Sequence, residues 1–160
     1  MSVYGALAGG FLGTIFLEAL ISAASVLHLT RVSLPFLLGT AFTADRVRAR
    51  KIGYAAHAAS GLLFALIYFA IFAAVGHASW RFGLGLGLLQ GLFVETDVLN
   101  RLLPAVHPRM GDIETAADTT RLIEAPGFLM LNYGWHNPVV LELAHAGYGA
   151  IVGATVVWVG

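Results

Sequence analysis

The chain has 160 residues, 58% of them hydrophobic and 11% charged, with a formal net charge of zero and a mean hydropathy of +0.80. A soluble domain carries about a quarter charged residues, so this composition excludes one and indicates an integral membrane protein. The charge is balanced and no Lys/Arg run resembles a nucleic-acid arm or a polybasic anchor, so charge implies neither partner, and the absence of cysteine excludes disulfides, thiolate metal sites and thiol redox chemistry.

Four apolar segments, at about 4–29, 52–75, 82–103 and 139–159, are each long enough as helices to cross a hydrocarbon core roughly 30 Å thick. They are unalternating and rich in Ala, Leu and Gly, which argues against strands. The first, Tyr4 to Leu29, lacks the basic start of a signal peptide and is expected to be retained. After it, Ser33 to Phe42 is apolar but too short to span, so it is expected to lie at the interface or re-enter. Arg46, Arg48, Arg50 and Lys51 precede the second segment, Ile52 to Val75, and only Arg81 lies in the turn that leads to the third. The third, Phe82 to Leu103, carries Arg101 at its end and is followed by Arg109 and Arg121 in a long polar loop. A short amphipathic helix is expected there, from about Ile113 to Glu124, ended by Pro126-Gly127. The fourth segment runs from Val139 to Val159. Basic residues mark cytoplasmic loops, here about 30–51 and 104–138, which puts both chain ends in the periplasm of a bacterial inner membrane protein. Residues 1–160 form one transmembrane domain in this reading, with Tyr54, Trp80, Tyr133 and Trp135 as interface anchors.

A pattern of small residues occurs twice. Ala6, Gly10, Thr14 and Glu18 in the first segment match Gly83, Gly87, Gly91 and Glu95 in the third. His57, Gly61 and Ala65 in the second match His145, Gly149 and Gly153 in the fourth. Residues four apart share a helix face, and small faces are where membrane helices approach closely. The expected fold is therefore an all-α membrane four-helix bundle built from two tandem two-helix repeats, with a pseudo-twofold axis along the membrane normal. Such an axis would bring His57 and His145 to facing positions.

Ionisable groups inside membrane segments are costly and mark sites. Counted from the cytoplasmic ends, Glu18 lies roughly 15 Å deep, Glu95 roughly 12 Å, His145 roughly 9 Å and His57 roughly 8 Å, so the four can converge. Glu142 stands three residues before His145, where the matching position holds Tyr54. Glu18, His57, Glu95, Glu142 and His145 have the donor chemistry of a dimetal site or of a single Fe, Zn or Mn ion, and His57 with His145 could ligate a haem. Two other readings remain open: the histidines simply hydrogen-bond neighbouring glutamates, or the groups line a proton or ion path. His28, His107 and His136 fit interfacial or turn positions, and Asp97 is placed to pair with Arg101. No Ser/His/Asp arrangement or nucleotide motif is present, and the catalytic set is empty.

Tyr4-Gly5-Ala6-Leu7-Ala8-Gly9-Gly10, Leu37-Leu38-Gly39-Thr40, His57 with Gly61 and Tyr68, His107-Pro108-Arg109-Met110, and His145 with Tyr148-Gly149-Ala150 resemble a group of small four-helix bacterial integral membrane proteins with no assigned activity. The resemblance covers most of the chain. It implies the four-helix fold, and it includes the two histidines but not the two glutamates. The resulting expectation is a binding module or an accessory subunit of a larger membrane complex, in contact with the lipid bilayer and with other membrane helices or a second copy. The rival expectation is a membrane-embedded metal- or haem-binding redox protein.

Overall fold

The computed structural model describes residues 1–111 and 123–159. It is all-α apart from one isolated bridge between Met110 and Ile123. The helices are α1 (Val3–Val26), α2 (Leu34–Gly39), α3 (Arg46–Val75), α4 (Trp80–Phe93), α5 (Leu103–Val106) and α6 (Asn137–Trp158). Between α4 and α5 the third span continues as a π-helix, Val94–Leu102, and a 3₁₀ segment, Phe128–Tyr133, leads into α6. Four of these helical stretches, at Val3–Val26, Arg46–Val75, Trp80–Val106 and Asn137–Trp158, are long and apolar enough to cross a membrane. Their outer faces carry Phe11, Leu12, Ile15, Leu63, Leu89 and Leu143 in exposed positions. Water would penalise such a surface, whereas lipid accommodates it.

Capping residues explain why helix ends differ from the hydrophobic boundaries. Asp45 accepts hydrogen bonds from the amides of Val47 and Arg48 at 2.9 and 2.8 Å, so α3 begins at Arg46 rather than Ile52 and carries its basic residues in a helical extension. It ends at Gly76, whose φ of 73° closes the helix in the left-handed region. Ser79 caps the start of the third span through the Phe82 amide at 3.2 Å, and Pro138 occupies the first turn of α6. The helix expected over about Ile113 to Glu124 falls mostly outside the described residues. It does not reach Ile123, whose amide bonds the Arg109 carbonyl at 2.7 Å in the bridge.

The third span corrects a second expectation, because it is not α-helical throughout. Thr96 donates its hydroxyl to the Leu92 carbonyl at 2.7 Å, and the Asn100 amide donates to the Thr96 carbonyl at 3.3 Å. Such side-chain bonds compete with the helical ladder, and the backbone here takes the wider π spacing.

Small residues set the packing. α1 lies between α3 and α6, α4 packs on α6, and α2 packs on α3. One face of α1 places Gly10 against Ala65 and the Gly61 carbonyl, while a second face places Gly5 and Gly9 against Val152, Thr155 and Val156 of α6. Gly83 and Gly87 of α4 lie against the backbone of Gly149 and His145. α3 meets α4 through side chains: the Tyr68 hydroxyl donates to Gln90 Oε1 at 2.7 Å, and Phe72 and Phe82 have ring centroids 5.4 Å apart. The amide of Ser2 bonds the Val156 carbonyl at 3.1 Å, which sets both chain ends on one side of the bundle.

On the opposite side the loops are tied together. The short α2 presses against α3, with Gly39 against the Ala49 carbonyl and Gly53 against the Pro35 carbonyl. His107 is buried there: its Nε2 lies 3.2 Å from both Thr40 Oγ1 and the Leu37 carbonyl, and its Nδ1 accepts the Arg109 amide at 3.1 Å. Asn137 is fully buried, accepts from the Thr30 hydroxyl, and donates to the Met130 carbonyl at 2.9 Å. His107 and Asn137 thus anchor the two loops to the spans.

Candidate functional site

The five embedded acidic and imidazole groups separate into two places. Glu18 on α1 and His57 on α3 meet directly, with Glu18 Oε1 2.5 Å from His57 Nδ1. Both are largely shielded, their side chains 16% and 13% exposed. The contact follows from the packing of α1 on α3, in which Gly61 sits against Thr14 and the next turn brings Glu18 level with His57. His145 on α6 is buried, and its Nδ1 lies 2.8 Å from the Leu141 carbonyl of its own helix. Because a carbonyl only accepts, Nδ1 is the protonated nitrogen of His145 and Nε2 is left with a free lone pair.

His57 and His145 line the same cavity, about 110 Å³ in volume, enclosed by α1, α2, α3, α4 with its π-helical continuation, and α6. Its wall is mainly apolar, from Leu17, Leu34, Leu38, Phe64, Val98 and Leu99. Ser60, Gln90 and Tyr148 add polar atoms. The Ser60 hydroxyl is engaged by the Ala56 carbonyl at 3.0 Å, that of Tyr148 bonds the Gly61 carbonyl, and Gln90 accepts from Tyr68. Among the described residues neither imidazole Nε2 nor the Gln90 side-chain amide nitrogen makes a hydrogen bond.

Glu95 and Glu142 lie elsewhere. Glu95, in the π-helix, has no exposed surface, and neither of its oxygens has a hydrogen-bond partner among the described residues. Glu142 Oε1 is also buried and unpartnered. The two line a separate pocket of about 360 Å³ with Leu88, Leu89, Leu92, Leu129 and Pro138.

The sequence-derived set of Glu18, His57, Glu95, Glu142 and His145 is therefore split between a Glu–His pair, a second histidine across a cavity, and a pair of glutamates beyond it. Among the described residues no group of three or more His, Asp or Glu side chains is placed to hold a metal ion. An apolar cavity of about 150 Å³ admits benzene, so the space between the histidines suits a ring-sized group and is far smaller than a haem. Gln90 and the second glycine ladder on α1, Gly5, Gly9 and Gly13, escaped the sequence reading. That ladder has the same four-residue spacing and stands one position before Ala6, Gly10 and Thr14, whereas no pattern marks Gln90. Asp97 and Arg101 pair as expected, at 3.2 Å on the exposed side of the π-helix.

No protein-family model, no curated protein and no solved structure matches this chain.

Proposed function

From these premises, four packed membrane-length helices around a small, partly open cavity, we propose that the protein is an intramembrane binding module for a ring-sized lipophilic molecule carrying hydroxyl groups. The observation that carries this reading is the cavity shared by His57 and His145. Its apolar wall favours a hydrocarbon ring. With Nδ1 of His57 against Glu18 and that of His145 bonded to the Leu141 carbonyl, the two Nε2 atoms serve as acceptors in this reading. A hydroxyl or phenol donates to them, and the Gln90 amide donates to its oxygen.

The bundle in this proposal is two related helix pairs, α1 with α3 and α4 with α6, in a bacterial inner membrane with both chain ends periplasmic. The basic residues 46–51 of α3 and Arg109 lie together on the loop side, which supports that orientation. A binding module of this size would work as an accessory subunit beside partner helices. A single cysteine added after Gly160 is expected to react with a membrane-impermeant reagent in intact spheroplasts; reaction only after lysis reverses the orientation.

The binding reading is tested with purified protein in lipid nanodiscs titrated with a para-alkylphenol and the matching alkylbenzene. Saturable binding of the phenol, weakened about tenfold or more by H145Q and abolished by the cavity-filling S60F, is expected. Equal binding of both probes, or no effect of either substitution, overturns it. Elemental analysis and an optical spectrum of the same sample test the rival reading, since stoichiometric Fe, Zn or Mn, or a haem band, would favour a metal- or haem-binding protein instead.

A further inference from the structure

We infer that Glu95 and Glu142 form a second site, a receptor for a lipophilic organic cation reached from the bilayer. Glu95 is fully buried, and both its carboxyl oxygens lack a partner among the described residues. Its neighbour across the pocket, Glu142, contributes another buried oxygen without a partner. Two carboxylates without a counter-charge are costly in a membrane interior, and hydrophobic burial alone gives no reason to place them together.

The pocket tells which counter-charge fits. Its remaining lining, including Leu88, Leu92, Leu129 and Pro138, supplies apolar surface and no further charge. A hard metal ion requires six or more oxygen ligands for calcium, or near-octahedral coordination for magnesium, which two carboxylates and leucines do not supply. A quaternary ammonium or phosphonium requires only neutralisation and apolar contact. The pocket's volume of about 360 Å³ is in the range of small-molecule sites.

Among the described residues, the other ionisable groups near these elements have contacts of their own. Asp97 and Arg101 of the π-helix pair with each other, and Tyr133 of the 3₁₀ segment donates to the Glu124 carbonyl. His145, one turn along α6 from Glu142, bonds the Leu141 carbonyl and lines the other cavity, while His136, just before α6, has its ring tilted against that of Trp135. Without a cation, a proton is the available counter-charge for the two carboxylates. Cation binding then displaces that proton to water, with one positive charge entering as one leaves.

The test uses the full chain in nanodiscs, with tetraphenylphosphonium as the probe and tetraphenylborate as a probe of equal shape and opposite charge. The phosphonium should bind saturably and the borate should not. In weakly buffered solution, binding should release close to one proton per cation, and affinity should fall as the pH is lowered because protons compete. The isosteric E95Q and E142Q variants should each weaken binding about tenfold or more while H145Q leaves it unchanged, which separates this site from the histidine cavity. Saturable binding of both ions, binding without proton release, or full affinity in E95Q overturns the proposal, and so does the absence of phosphonium binding by wild-type protein.

Discussion

α1 and the third span each carry small residues four apart that lead to a glutamate, yet the two glutamates meet opposite fates. On α1, Glu18 reaches His57 of α3. On the third span, Glu95 reaches no histidine, and His145 turns to the backbone of its own helix. The difference lies in register. In the first pair Gly61 sits against Thr14, whereas in the second Gly149, its counterpart, sits against Gly83 and Gly87. Gly91, the counterpart of Thr14, faces Glu142 instead. The second pair is thus slid by about one helical turn, roughly 5 Å, relative to the first. The slide carries Glu95 past His145 towards Pro138. Like residues in like order do not guarantee like contacts, since close packing of glycine faces sets which rungs meet.

The largest effects should come from blocking those faces. A side chain at Gly87 would run into the backbone of His145 and Ala146, whereas one at Gly85 would meet nothing within 4 Å. G87L is expected to lower the thermal midpoint in detergent sharply, with overpacking costing about 1–3 kcal/mol or more, and G85L to leave it nearly unchanged. G10L should behave like G87L, because it meets Ala65. If G85L is as harmful as G87L, the slid register assigned to the second pair is wrong.

The second contrast concerns the glutamates themselves. E18Q replaces the carboxyl group that contacts a shielded His57, so it should destabilise the bundle by about 1–3 kcal/mol. E95Q removes a carboxylate that has no partner among the described residues, so it should be neutral or stabilising. Thermal unfolding of the two variants in the same detergent at neutral pH gives the comparison. Equal losses would mean that Glu95 has a stabilising partner and that the two pairs are closer in design than their registers indicate.

Much of the first pair was legible in the sequence and much of the second was not, for physical reasons. Hydropathy over some 20 residues marks a span unambiguously, and four-residue spacing marks a face, so the four membrane helices and the small faces could be read directly. Which rung of one face meets which rung of another depends on tertiary packing. No local rule distinguishes Glu18 opposite His57 from Glu95 opposite Pro138. The π-helix was hidden for a similar reason: Thr96 and Asn100 read as ordinary polar residues, and only in the folded chain do their bonds to Leu92 and Thr96 carbonyls compete with the helical ladder. His107 looked like a turn residue because His-Pro-Arg spells a turn. Its burial against Thr40 and Leu37 comes from α2, a helix of six residues whose position no periodicity announces.

The smallest effect should come from the loop side, where α2, attached to the first pair, is held by His107, attached to the second. Burial pushes the His107 imidazole below its ordinary value, the neighbouring Arg109 adds to this, and the Leu37 carbonyl opposes it. A group with a depressed pKa in the folded state contributes stability that is present above the unfolded value, about 6.5, and is lost as pH falls through the lower folded value. Acidification below that point should therefore loosen this contact while leaving the glycine faces packed. Hydrogen exchange at the amides of Thr40 to Thr43 and of Arg109 should rise as the pH is lowered from 7 to 5, after correction for the intrinsic rate. In H107N, which keeps polar atoms near Thr40 but does not titrate, protection should lose its pH dependence. If wild-type protection is flat across that range, the two halves are joined on this side by packing alone, and the imidazole is a spacer rather than a titrating link.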